Sequence, residues 1–379
     1  MPEFDKRQSR PRRQRTVIRR KENIFVGILS GLFPWKGDSA GNMARKLIFL
    51  ASLCLIIYAG IALVNFYVIR DRVTDLEKEK LLSALNDYEG PEVVTIYLPA
   101  DENTPEKAEP EPVEAIGEYY ETYYTKNEDF VGYLEIFPIV QYPVYQSDDN
   151  EFYLNHNHEK IPTANGTIFA DCEGVFTPTS RPNNTIIYGH NLLTKNLFQP
   201  LKYYYQNTDG SDSFDFLKEH ATIKFDTLYE RGAYKIFAVF QSNIKETHGE
   251  VFYYWRDVYF KDKSHFDNFI ADCLDRSFFY TNLDLQYGDE ILMLSTCDFS
   301  MFANGADSSV RCVIAARRVR DDELPDFTQE ELNTFIDNRG FNASGQVRRK
   351  MFDAYYDTFC KAGWAGRNWD LDYIKDFNN

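Results

Sequence analysis

The stretch Ile291-Leu-Met-Leu-Ser-Thr-Cys297-Asp298 decides how this chain is read. It is a short apolar run of strand length that ends on a cysteine. Arg311-Cys-Val-Ile-Ala-Ala-Arg317 is a second strand-like run further on, and Thr185-Ile-Ile-Tyr-Gly-His190-Asn191 is a third, far upstream. Each brings one polar, reactive side chain out of an otherwise apolar β segment. A thiol, an imidazole and a guanidinium held in this way are the parts of a cysteine-based acyl-transfer site.

Taken alone, each residue has an ordinary explanation. A cysteine ending an apolar strand is usually core, a histidine beside Gly-Asn is usually a turn residue, and a strand arginine is usually half-solvated. The triple is what points to chemistry. Cys297 is the expected nucleophile, because a thiolate attacks a carbonyl readily and its thioester stays reactive toward an amine. His190 is the expected general acid for the departing amine and base for the incoming one, with Gly189 letting the backbone turn to aim the ring. Arg311 is expected to donate to the substrate carbonyl oxygen as it gains charge. Ser295 and Thr296 flank the nucleophile and are expected to support the oxyanion or the substrate backbone. Asp298 is given no part, since neighbours in a strand point to opposite faces. His156 and His158 form an HxH pair, but no third ligand follows at useful spacing. Neither a metal nor a cofactor is expected. The other cysteines, Cys54, Cys172, Cys273, Cys312 and Cys360, read as buried small hydrophobes.

Charge is divided unevenly along the chain. Residues 1–46 hold 12 Lys+Arg against 4 Asp+Glu, whereas the remaining residues hold 30 against 54. The asymmetry suggests two compartments and argues against nucleic-acid binding by the acidic bulk. Between them, Leu47 to Ile69 carries no charge for 23 residues, enough to cross a bilayer. The basic excess on its N-terminal side predicts a single-pass type II protein at the cell membrane, with the C-terminal bulk outside. The basic arm is expected to lie in the cytoplasm, where it meets anionic lipid or simply sets topology. The short apolar run Ile24 to Trp35 reads as interfacial. Val73 to Tyr88 reads as a helical stalk. Pro99 to Pro112, with four prolines and five acidic residues, reads as a linker.

Beyond Phe130, strand-like runs follow one another: 131–137, 139–145, 167–170, 185–188, 221–225, 233–240, 291–296 and 310–319. With 30 Phe and 26 Tyr in the chain, the pattern suggests a mainly β domain closed, or nearly closed, into a barrel. Helices are expected at Leu193–Tyr205 and at Ser264–Leu274. The second has Phe266, Phe269, Ile270, Cys273 and Leu274 on one stripe and Ser264 as its N-cap. After Arg320 a helical appendix is expected. It starts at the capping box Thr328-Gln-Glu-Glu331, stops at Gly340, and continues in a second helix through Val347, Met351, Tyr355 and Phe359.

Leu-Ser-Thr-Cys297 with Arg311 on the following strand, and Ile-Tyr-Gly-His190-Asn191 upstream, resemble the sortases, the cysteine transpeptidases of Gram-positive surfaces. Further segments are similar to class B sortase landmarks in the same order. They are Asn127-Glu-Asp-Phe-Val-Gly-Tyr133, Tyr142-Pro-Val, Asp149-Asn-Glu-Phe-Tyr-Leu154, Gly166-Thr-Ile-Phe-Ala-Asp171, Leu197-Phe-Gln-Pro-Leu201 and the helix at Ser264–Leu274. The resemblance covers roughly residues 120–320. It implies an eight-stranded sortase-type β-barrel with flanking helices. It also implies cleavage of a C-terminal sorting signal on surface proteins after Thr. The acyl group would pass through a Cys297 thioester to an amine on a peptidoglycan precursor. The expected organisation is a basic arm (1–46), a transmembrane helix (47–69), a stalk and linker (70–118), the catalytic barrel (119–320) and the appendix (321–379). The loop from Asp298 to Val310 is longer than the class leads one to expect, and the appendix is extra. Three rival readings stay open: a sortase that polymerises pilins on a subunit lysine, a non-catalytic surface binding module, and a secreted cysteine peptidase.

Overall fold

The computed structural model describes residues 30–64, 70–98, 111–192, 196–206, 212–246, 251–298 and 309–337. The chain divides into two compact units, Met1–Arg72 and Val73–Asn379.

In the first unit, helix α1 runs Ala40–Val64. Its 25 residues have a mean hydropathy of 2.7 over their most apolar window. At 1.5 Å per residue such a helix is about 37 Å long, sufficient to cross a bilayer. It begins seven residues before the apolar run proper, so Lys46 lies inside it. The ammonium of Lys46 is held by both carboxylate oxygens of Asp38 and by the Ser30 carbonyl. Residues 65–69, where the span was expected to end, lie outside the described residues.

The second unit opens within helix α2, Arg70–Asn86, whose first three residues fall in the first unit, and continues in a hairpin of β1 (Val93–Leu98) and β2 (Glu111–Ile116). The sequence reads a linker from Pro99 to Pro112, but its last two residues belong to β2 and pair with Leu98 and Tyr97. A strand edge tolerates Pro112, and solvent takes the acidic side chains. The barrel strands are β3 (Phe130–Ile136), β4 (Val140–Tyr145), β5 (Phe169–Ala170), β6 (Asn184–Tyr188), β7 (Thr222–Thr227), β8 (Ala233–Asn243), β10 (Ile291–Asp298) and β11 (Val310–Arg318). They close in the order β10-β11-β8-β7-β3-β4-β5-β6, with β6 pairing back to β10. The β6–β10 and β4–β5 pairs are parallel and the others antiparallel. All eight strand-like runs of the sequence become barrel strands.

Why β10 is apolar without alternation follows from its two covered faces. Leu292 and Leu294 join the barrel interior, to which all eight strands contribute, with Cys312 and Ile314 beside them. Ile291 and Met293 point the other way. With Val313 and Ala315 they pack under helix α4, Lys263–Arg276, through Phe266, Phe269, Ile270 and Cys273. A third cluster lies outside β3 and β4. There Tyr119, Tyr123, Phe130 and Tyr133 stack beneath the β1–β2 hairpin and Leu81 and Leu85 of α2.

Three expected elements differ. Helix α4 is capped by Asp262, whose carboxylate accepts from His265 N–H, and Ser264 lies inside the helix. Among the described residues, no α-helix forms in the expected 193–205 segment. Leu197 has φ +54° and only Gln199–Tyr204 form a 3₁₀ turn, because Leu197, Phe198, Leu201 and Tyr204 are all drawn into the barrel core. Residues 193–195 are not described. A short helix α3, Ser213–Glu219, follows instead, capped by Asp212. In the appendix the capping box at Thr328 forms as read, but helix α5 is only Gln329–Asn333. It stops because Phe335 is buried in the barrel core and Ile336–Asp337 (β12) pair with Phe279–Tyr280 (β9). The expected stop at Gly340 and the helix over 347–359 lie outside the described residues, as does Cys360. Of the other cysteines, Cys273 and Cys312 are buried, Cys172 is half-exposed, and Cys54 is exposed on α1.

Candidate active site

Strand register builds the site. Cys297 of β10 and Arg311 of β11 are direct antiparallel partners. On the other side β10 runs parallel to β6, with Ser295 level with Tyr188. Continued by two residues, that register sets His190 level with Cys297. Two bonds carry the alignment past the end of β6. Gly189 N–H donates to Ser295 O at 3.3 Å, and Asn191 Nδ2 donates to Cys297 O at 2.8 Å. The three residues therefore lie in one row across three adjacent strands.

The row is on the outer face of the barrel wall. Side chains alternate along β10, so Cys297 continues the face of Ile291, Met293 and Ser295, while Thr296 and Asp298 turn inward. Asp298 is 1% exposed and hydrogen-bonds the inward-facing Gln241 of β8. Lower on the outer wall, the α4 helix and the aromatic run Phe252–Trp255 cover the strands. Cys297 and Arg311 lie where that cover ends, and both are half-exposed.

Each neighbour has a definite task. Ser295 shares a 2.7 Å hydrogen bond with the Tyr254 hydroxyl, and both residues are buried. Burial pushes the Tyr254 phenol up to about 12, so it stays neutral. Thr296 Oγ1, 3% exposed, donates to Gly189 O at 2.7 Å and ties β10 to the residue before His190. His190 Nε2 contacts the Leu154 carbonyl at 2.9 Å. A carbonyl only accepts, so Nε2 carries the proton there. Leu154 reaches in from a tight loop that Gly166 makes possible. Gly166 has φ +59°, and a Cβ on it would meet the Tyr153 and Leu154 carbonyl oxygens at 2.5 and 2.7 Å.

Gly189 is needed for a reason other than turning. Its φ is not left-handed. A Cβ there would instead meet the Phe198 ring at 2.8 Å, so the glycine lets the His190 loop lie flat on the core. Two contributors were not singled out from sequence. Tyr254 sits in an aromatic run with nothing to mark one member, and the Leu154 carbonyl is backbone. Asn191, quoted beside His190 but given no task, could have been found from that adjacency. His156 stacks on Phe152 at 4.0 Å, and its ring nitrogen meets the Phe152 carbonyl.

The closed eight-stranded mixed barrel thus bears cysteine, histidine and arginine in one row on its outer wall. No family model matches the chain. It is 31% identical over 173 residues to Sortase B of Listeria monocytogenes, a match covering 45% of this chain and 64% of that protein, just under two thirds. It is 25% identical over 195 residues to Sortase B of Staphylococcus aureus, covering 51% of this chain and 72% of that protein. The solved structure of Sortase B from Listeria monocytogenes is similar over 51% of this chain and 96% of its own, with 28% identity and a TM-score of 0.42. Over the barrel the chain is thus similar in sequence to two class B sortases.

Proposed function

We propose that the chain is a membrane-anchored cysteine transpeptidase that cleaves a C-terminal sorting signal on surface proteins. The thiolate of Cys297 attacks the scissile carbonyl carbon. Arg311 donates hydrogen bonds to the oxygen as it becomes an oxyanion. His190 gives a proton to the departing amine, the C–N bond breaks, and a Cys297 thioester remains. An amine on a peptidoglycan precursor then loses a proton to His190 and attacks the thioester, releasing the thiolate. With Nε2 engaged by Leu154, Nδ1 is the nitrogen left for this exchange. Ser295 and Thr296 support the site from beneath, through Tyr254 and Gly189. The α1 helix holds the enzyme in the cell membrane with its basic N-terminal arm inside and the barrel outside. The observation that carries the proposal is the row of His190, Cys297 and Arg311 set by strand register.

The test is intact mass of the full chain in detergent after incubation with a panel of sorting-signal peptides and no amine. A mass gain equal to the N-terminal peptide fragment, absent in Cys297→Ala, is expected. Adding an amine should discharge it. No adduct and no cleavage with any peptide, from a folded protein, would overturn the proposal in favour of a binding module.

A further inference from the structure

His190 sits between two loops, and helix α2 holds both. The first loop supplies the Leu154 carbonyl that takes the imidazole Nε2 proton. Its turn is organised by Asn157, which is buried and whose Oδ1 accepts from the backbone N–H groups of Glu159 and Ile161. Asn157 Nδ2 in turn donates to Glu77 of α2 at 3.4 Å. The second loop follows His190 itself. It closes where Leu197 bridges Asn191 and Phe198 N–H donates to His190 O at 3.1 Å. The residue beside that closure is Asn196, also buried, whose Nδ2 donates to Asp75 of α2 at 2.9 Å. Between these two contacts, Lys78 of α2 lies 5.4 Å from the ring centroid of Tyr142, and the Tyr142 hydroxyl donates to Asn196 Oδ1.

We infer that Asp75 and Glu77 are positioning residues for the transfer reaction. Through Asn196 and Asn157 they fix the two loops that orient the His190 ring. The inference rests on the acid–base role proposed for His190. Its physical basis is that the ring is held by the Leu154 carbonyl and the His190 backbone by the Phe198 N–H, both beyond the end of β6. Two carboxylates spaced along one helix supply a common reference for both loops. Neither carboxylate touches the reacting atoms, so their effect is on geometry alone.

The experiment measures alkylation of Cys297 by iodoacetamide in the full chain in detergent, followed by peptide mapping so that Cys172 is counted separately. The variants are His190→Ala, Asp75→Ala with Glu77→Ala, Asp75→Asn with Glu77→Gln, and Lys263→Ala. The amide pair keeps an oxygen to accept from each asparagine. Lys263 pairs with Asp267 at the surface of helix α4, touches neither loop, and serves as the control. Displacing the ring by ~1 Å is expected to slow alkylation about tenfold in the double alanine variant. His190→Ala should slow it at least as much, the amide pair should restore it, and Lys263→Ala should leave it unchanged. A merely structural role would lower the melting temperature without moving the alkylation rate. Asp75→Ala alone gives the same comparison if the double variant does not fold. If His190→Ala slows alkylation and the helix variants do not, or if the amide pair behaves like the alanine pair, the positioning role is overturned by itself. If His190→Ala has no effect either, the His190–Cys297 pairing falls and the positioning role with it.

Discussion

Cys297 and Arg311 are direct partners across β10 and β11, so thiol and guanidinium share one face and one level of the barrel wall. Antiparallel partners stand about 5 Å apart at Cβ, close enough for one carbonyl to be met by both groups. Replacing the arginine by alanine should reduce acylation by about 10² to 10³, the range for losing one oxyanion donor. Lysine should recover little, because a point charge on a flexible stem does not reproduce the planar fork. Single-turnover acylation measured by mass checks both.

The Gly189–Phe198 contact leads to a second expectation. A methyl group at Gly189 would press on the Phe198 ring at 2.8 Å. Gly189→Ala should destabilise the fold by about 1–3 kcal/mol, the usual cost of overpacking. Since Gly189 also precedes His190 and accepts from Thr296, acylation should fall by more than the lost folded fraction explains. Thermal melts and acylation rates on the same sample test this. Wild-type values for both would show that the ring yields freely.

Buried phenols set the alkaline limit of the fold. Burial pushes the hydroxyls of Tyr142, Tyr234 and Tyr254 up to about 12, from an ordinary value of 10.0. The unfolded chain loses these protons first as pH rises, so deprotonation favours unfolding. Their contribution is fully present below pH ~10 and is lost between there and ~12. Tyrosinate absorbance and circular dichroism followed together should show a late ionisation phase coincident with loss of structure. Complete ionisation near pH ~10 with structure retained would contradict the assignment.

Arg317 ties the start of the appendix to the barrel. Its side chain is fully buried and forms a two-pronged pair with Glu323 at 3.0 and 2.5 Å. Removing one partner of such a pair strands a charge. Glu323→Ala should therefore cost about 3 kcal/mol, whereas an exposed pair costs less than about 1. Chemical denaturation of Glu323→Ala beside Lys263→Ala, which breaks the surface pair with Asp267, makes the comparison.

How far the sequence could be read depends on what fixed each element. The run ending at Cys297 was legible because Leu292 and Leu294 face one core and Ile291 and Met293 another, so it had to be apolar throughout. The α4 stripe was legible because helical spacing and burial agree at Phe266, Phe269, Ile270 and Cys273. The segment before Tyr205 was misread because its apolar residues serve the barrel and not a helix face, with Leu197 held at φ +54°. The β1–β2 hairpin was hidden because one buried side chain in β1, Ile96, is too little for an alternating pattern to show. Of the candidate site, the three reactive side chains were visible as residue types ending strands. What surrounds His190 was not, because Leu154 acts through its backbone and Asn157, Asn196, Asp75 and Glu77 meet only through tertiary contacts.

The parallel pairing of β6 with β10 has a temporal meaning. Thr296 and Gly189, which it brings together, are 107 residues apart, and β10 and β11 are the last two barrel strands in the chain. A chain made from its N-terminus holds its imidazole long before its thiol, and the two meet only when the barrel closes, a late and costly long-range contact. Under the proposed function, the cysteine lacks its proton acceptor and its oxyanion donor until that moment. Acylation at Cys297 would then be a signal that the barrel has closed.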